Sequence, residues 1–353
     1  MLGGYVSAQT ISAPEPGRSI QLIEALVVGE SEAAGAPLFR RVGDVGVDAG
    51  GRMYILDVFA STVHVVDREG HASRRIGEAG AGPGELSNAH HMLMAGDSIL
   101  VFQQGGKVSV FDRHSGAYRR QYALPVTAPD FVSQPLAVDG DQLLARTSND
   151  VVMSVDEPRK PDRLLGLSLT TDETRTHSKM PGRDIIVSVG AGGRAEALAS
   201  APFPRRTLCA RANRRVYCGW TGSKQLIVFG LNGQVLDSID VDFPDVHVTA
   251  ADRAPWLDRY ANTGFLETLE FPEVHPYYDA LVGDDDGRLW FRVRSSRETG
   301  RTTLWVIDPV ERAARAATVE GYVEPGVVKN GMLYGRRLDG DGVEALVRYR
   351  LEF

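Results

Sequence analysis

Residues 43–76 read GDVGVDAGGRMYILDVFASTVHVVDREGHASRRI. Four short runs, Gly43–Asp48, Met53–Asp57, Thr62–Asp67 and Ala72–Ile76, flank turns at Ala49-Gly50-Gly51 and Arg68-Glu69-Gly70. Gly, Asp and Asn supply the positive φ values that tight hairpins need, so the stretch predicts four antiparallel strands. The unit recurs. A second copy gives His90–Met94, Ser98–Gln103, Lys107–Asp112 and Ala117–Tyr122. A third gives Gln134–Val138, Gln142–Arg146, Val151–Val155 and Thr174–Lys179. The fourth reads Arg206–Arg211, Arg215–Trp220, Gln225–Gly230 and Val235–Val241, and the fifth Tyr278–Val282, Arg288–Val293, Thr302–Asp308 and Ala314–Glu320. Radial repetition of such sheets is the propeller architecture. A β-sandwich with a small extra domain competes with it, and the regular turns speak against that.

The sixth unit has only Gly326–Lys329, Met332–Arg337 and Ala345–Leu351. A blade lacking its fourth strand would expose unpaired backbone donors and acceptors. The N-terminal run Ile20–Val28 (IQLIEALVV) has no unit of its own. Pairing it beside Ala345–Leu351 closes the ring. The expectation is therefore a six-bladed propeller over 19–353, preceded by a flexible segment 1–18. Thr249-Ala250-Ala251-Asp252 has the form of a helix start with Thr as N-cap. It predicts one short helix to about Tyr260, inserted between blades 4 and 5. A second insertion, Arg183–Pro204, joins blades 3 and 4, and its Gly190–Gly193 run suggests mobility.

Arg74–Leu86 (RRIGEAGAGPGEL) resembles the blade junction of NHL repeats, and Gly51–Asp67 resembles their body. Ser61-Thr62 and Gly106-Lys107 stand where such repeats usually carry Asn-x-Arg. Tyr278–Phe291 (YDALVGDDDGRLWF) and Tyr334–Leu351 (YGRRLDGDGVEALVRYRL) are similar to bacterial exported proteins known as six-bladed β-propellers. The resemblance implies the fold and an exported setting. It carries no common activity.

Net charge is −7 and no basic run occurs, which argues against a nucleic-acid partner. No apolar stretch reaches membrane-spanning length. Val6-Ser7-Ala8 has the small-x-small form of a signal cleavage site, without the charged and apolar parts of a leader. A truncated signal or an ordinary terminus both account for it. The only cysteines, Cys209 and Cys218, face each other if Asn213-Arg214 is the hairpin turn. A non-hydrogen-bonded pair approaches to about 4.5 Å between Cα atoms, within disulfide reach. Two small buried thiols are the alternative. A disulfide points to a periplasmic or secreted protein.

No nucleotide, serine-hydrolase or zinc-protease motif occurs. Asp284-Asp285-Asp286-Gly287 reads as an acidic hairpin turn, since a calcium loop needs alternating ligands and a distal Glu. Aligning the units on their second strands puts Asp44, His90, Gln134, Arg206, His275 and Glu324 at one mouth of the channel, with Arg205 adjacent. Convergent polar groups in a concavity define a candidate binding site. His90 and His275 are candidate ligands of a divalent metal, Ca or Zn, at the axis. Arg205 and Arg206 suit a carboxylate or phosphate. Two functions follow as expectations. One is a monomeric extracytoplasmic module binding a small molecule, peptide or protein at the mouth. The other is a metal-dependent lyase or hydrolase using His and carboxylates at the axis.

Overall fold

The second and third strands of blade 1, Met53–Asp57 and Thr62–Val66, are buried at every position. Such continuous burial fits strands packed on both faces. The computed structural model describes residues 10–15, 17, 19–29, 37–126, 129–149, 160–189, 195–294, 300–338 and 342–353. Blade 1 has strands Val42–Val47, Met53–Asp57, Thr62–Val66 and Ala72–Ile76. Blade 2 has Ala89–Ala95, Ser98–Gln103, Lys107–Asp112 and Tyr118–Ala123. Blade 4 has Thr207–Ala212, Arg215–Trp220, Gln225–Gly230 and Val235–Val241. Blade 5 has Tyr278–Gly283, Leu289–Val293, Arg301–Asp308 and Ala313–Glu320.

Blade 3 differs from the sequence expectation. Its strands are Asp130–Asp139, Gln142–Asn149, Asp162–Ser168 and Thr174–Met180. The third strand is thus Asp162–Ser168, and Val151–Val155 lies outside the described residues. Asp162–Ser168 pairs along both neighbours, from Gln142↔Ser168 to Thr147↔Arg163 and from Asp162↔Met180 to Leu167↔Thr174. That pairing decides the choice between two apolar runs.

Blade 6 is closed as expected. To Val323–Lys329, Met332–Leu338 and Glu344–Glu352 the N-terminal strand Ser19–Val28 adds an antiparallel fourth, with Leu22 opposite Leu351 and Val28 opposite Leu346. Ser19 and Ile20 also pair in parallel with Ala316 and Ala317 of blade 5. Earlier in the chain, Thr10 and Ile11 pair in parallel with Asp240 and Val241, adding an edge to blade 4.

Among the described residues six hydrophobic clusters form the core, one at each blade interface. Tyr54 and Leu56 meet Ile99 and Val101 between blades 1 and 2, for example. Trp290 and Leu304 meet Leu333 and Val347 between blades 5 and 6. The inner strands therefore turn alternate residues toward two different neighbours. The first strand of every blade lies against that of the next, and blade 6 against blade 1, so the ring is complete. Glycine makes one of these approaches possible: a Cβ on Gly283 would stand 2.1 Å from the carbonyl oxygen of Arg211 in blade 4.

Cys209 and Cys218 face each other and are bonded, with Cα atoms 4.1 Å apart. They sit in the blade 3–4 core beside Leu144, Leu164 and Phe229. The acidic run does form a hairpin turn. Its Asp284 carboxylate accepts from the Asp286 and Arg288 amides and from Trp290 Nε1, and burial pushes its pKa up.

Candidate functional site

First strands begin at one mouth, and Arg206 stands directly before that of blade 4. Its amide donates to Thr221 Oγ1 (3.0 Å) and its carbonyl accepts from the Thr221 amide (2.9 Å), which pins the backbone. Its guanidinium donates to the Asp279 carbonyl (2.9 Å), and among the described residues this is the side chain's one hydrogen bond. A guanidinium has five N–H donors, so most of them remain unspent. The Asp279 carboxylate accepts from Arg292 Nε (2.5 Å), while Arg292 Nη1 donates to the Val323 carbonyl (3.2 Å) and the Arg292 Cζ lies 4.4 Å from the centre of the Tyr322 ring. Glu324 accepts from Arg336, which also donates to Glu344 (3.2 Å), and Glu344 accepts from the Val42 amide (2.7 Å). A polar chain thus crosses blades 4, 5, 6 and 1.

These groups line a cavity of about 580 Å3. Arg206, Arg292, Arg294, Arg301 and Arg336 line it; Arg292 pairs with Asp279, Arg294 with Asp252, Arg301 with Glu320, and Arg336 with both Glu324 and Glu344. Burial pulls the Arg206 pKa down, Asp279 and Glu324 push it up, and the like charges of Arg146 and Arg292 add to the lowering. Burial pushes Glu324 up, yet Arg336, Arg292 and Arg206 together outweigh it and hold the carboxyl below its usual range.

Both insertions reach this cavity. The helix α1 (Ala250–Tyr260) starts at Thr249 with a full capping box: Thr249 Oγ1 accepts from the Asp252 amide, and the Asp252 carboxylate accepts from the Thr249 amide. The other insertion forms the hairpin Ile185–Val189 and Ala195–Ser200, while residues 190–194 lie outside the described ones. Thr268 Oγ1 donates to the Val187 carbonyl (2.6 Å), and Phe203 meets Trp256 edge-on at 6.0 Å. Phe203, Pro204 and Trp256 form one wall of the cavity.

Of the residues singled out from the sequence, Arg206 and Glu324 line it. His90 does not. It lines a second cavity of about 520 Å3 between blades 2 and 3, with Phe102, Leu124, Phe131 and Val132, and burial lowers its pKa. Asp44 bridges blades 1 and 2, its Oδ2 accepting from the Met92 amide (2.8 Å) and from His91 Nδ1 (3.0 Å). Gln134 bridges blades 3 and 4 through the Cys209 carbonyl (2.6 Å) and amide (3.3 Å). Arg205 is held by Asp184 (2.6 Å) and rests on the Trp220 ring, so it belongs to the base of the hairpin insertion.

His275 is a correction. It is 3% exposed, and its backbone amide is bonded to the Val246 carbonyl. Arg294 donates to its Nδ1 (2.6 Å), leaving the ring proton on Nε2, 3.3 Å from Asp252 Oδ2. It lies three residues before the first strand of blade 5, where the chain is still returning from α1, and so it fastens the wall instead of facing the opening. His90 and His275 line different cavities and so do not converge on one point. Among the described residues no three His, Cys, Asp or Glu side chains come together to hold an ion.

Sequence reasoning misses Asp279, Arg292, Arg336, Arg146 and His91. Three of them carry a signal that the alignment of second strands contains. Arg146, Arg292 and Arg336 stand opposite Gln134, Ala280 and Glu324, near the mouth end of the second strands of blades 3, 5 and 6.

Residues 37–151 match the model of a family described as a 6-bladed β-propeller. No curated protein matches the sequence. Among solved structures, a "Putative exported protein" from Bacteroides fragilis is 13% identical, with a TM-score of 0.61, covering 98% of this chain and 100% of that one. A DUF4221-family member from Bacteroides vulgatus is 14% identical, with a TM-score of 0.53, over 95% and 98%. Both likenesses are in fold.

Proposed function

We propose that this chain is a ligand-binding propeller acting outside the cytoplasm, NHL-like in its blade junctions, whose mouth takes an anion-bearing small molecule or peptide. The carrying observation is the Arg206 side chain, which lines the 580 Å3 cavity and, among the described residues, makes one hydrogen bond. A half-buried guanidinium with unspent donors suits a carboxylate or phosphate, which it can hold bidentately. The disulfide supports an oxidising compartment. Matched probes test the reading. Glucuronate should bind in calorimetric titration and weaken as salt rises, while glucose should not. Equal binding of the two would refute recognition of charge.

A second reading, a lyase or hydrolase, is favoured by the Asp44–His91 pair beside the 520 Å3 cavity. A carboxylate on Nδ1 orients an imidazole so that Nε2 exchanges the proton. That reading predicts turnover of an offered acidic saccharide, abolished in His91→Ala. Binding without turnover leaves the first reading alone.

A further inference from the structure

The second cavity, about 520 Å3 between blades 2 and 3, differs in chemistry from the one that Arg206 lines. Phe102, Leu124, Val126 and Val132 line it, and all four also belong to the blade 2–3 core. The interface core thus borders a space of ligand size. The turn Gln104–Gly106 helps to keep that space clear, since Gly105 has φ +77 and a Cβ there would meet nothing within 4 Å. Rings complete the lining: Phe131 is 39% exposed, and His90 meets His91 edge-on at 5.2 Å. Most polar groups around the cavity are spent on the protein. Gln103, 3% exposed, accepts from the Ser87 amide (2.7 Å) and donates to Ser109 Oγ (2.8 Å). Asn88 Nδ2 donates to Gln104 (2.8 Å), and the Asn88 carbonyl faces His90 Nδ1 (3.2 Å). Asp130 accepts from Arg163 (3.1 Å) and Asn149 (2.8 Å), and Lys107 is exposed. His91 differs. Its Nδ1 donates to Asp44 Oδ2 (3.0 Å), so the neutral ring keeps its lone pair on Nε2, to which no described residue is bonded.

We infer that this cavity is a second binding site, for an uncharged hydroxylated aromatic molecule whose rings lie against Phe102 and Phe131 and whose O–H donates to His91 Nε2. The inference concerns a ligand other than the anion proposed for the mouth and stands without it. Aromatic rings pack offset or edge-to-face against one another, as Phe and imidazole walls allow. An apolar wall offers a charged ligand no compensation for its lost water, whereas one aimed acceptor satisfies one hydroxyl. Burial holds the His90 pKa down against the pull of the Asn88 carbonyl, so this neighbour adds no charge.

Fluorescence titration of the full-length protein at about pH 8, above the ordinary imidazole range, with 2-naphthol, 2-methoxynaphthalene and 2-naphthoate tests this. 2-Naphthol should bind about fivefold more tightly than the ether, the worth of one hydrogen bond between neutral groups. His91→Phe should reduce 2-naphthol to the affinity of the ether and leave the ether unchanged. Phe131→Ala should weaken both together. Equal affinity of 2-naphthol and the ether in the wild type would overturn recognition of the hydroxyl, and that comparison decides even if His91→Phe impairs folding. An undiminished preference in a folded His91→Phe would overturn the part given to His91. No binding of either would overturn the site, and tighter binding of 2-naphthoate would overturn its choice of an uncharged ligand. None of these outcomes bears on glucuronate at the mouth, so the two sites fail separately.

Discussion

Gly283 shows how closely single residues govern this ring. Any side chain there would drive its Cβ into the Arg211 carbonyl at 2.1 Å, and that carbonyl belongs to the backbone of the neighbouring blade. Gly283→Ala should therefore destabilise by about 3 kcal/mol, the upper part of the usual overpacking range. Chemical denaturation measures this, and an unchanged midpoint would mean that blades 4 and 5 approach less closely. Other residues are legible in the sequence itself. Counting outward from Asn213-Arg214 puts Cys209 opposite Cys218, because hairpin register follows from the turn. Glu324 and Arg206 follow from their place at the starts of first strands. Asp279 does not, since as the second residue of its strand it reads as one more alternating polar position.

Helix α1 is an element whose stability depends on one carboxylate. Hydrogen bonds from the Thr249 backbone are the first cause that holds Asp252 down at about 2, with Thr249 Oγ1 and His275 adding to it. A carboxyl with a folded pKa below its unfolded value contributes stability above the unfolded value, near 3.8. That contribution is lost as pH falls through about 2. Hydrogen exchange of amides 250–260 should thus accelerate relative to the blades between about pH 4 and 2. Asp252→Asn should weaken the cap by about 1 kcal/mol already at neutral pH and remove most of that acid dependence. Identical profiles in the two proteins would deny Asp252 this role. The helix is readable from its N-cap, yet its consequence is not. Spacing alone assigns His275 to the mouth, and only the path of the returning chain buries it against Arg294 and Asp252. Blade 3 gives the same lesson, for two apolar runs compete for its third strand and pairing on both edges selects Asp162–Ser168.

Across the whole molecule, the proposed function separates stability from recognition. The six interfacial cores hold the ring, and the N-terminal strand serves two of them: Ile20 lies in the blade 5–6 core and Val28 in the blade 6–1 core. Removing residues 1–28 should consequently abolish cooperative melting or cause aggregation, as an open edge and two opened cores demand. Scanning calorimetry showing an intact transition would refute closure by this strand. Recognition in that reading falls to the mouth, around Arg206, most of whose guanidinium donors are unspent. That claim is tested most directly by titrating glucuronate into wild type and Arg206→Gln while recording both melting curves. Stability should differ by no more than about 1 kcal/mol, since among the described residues the side chain makes one hydrogen bond. Affinity should fall at least about tenfold, the loss expected for a charged hydrogen bond. Undiminished binding in the variant, or a large loss of stability with binding retained, would contradict anion recognition by Arg206.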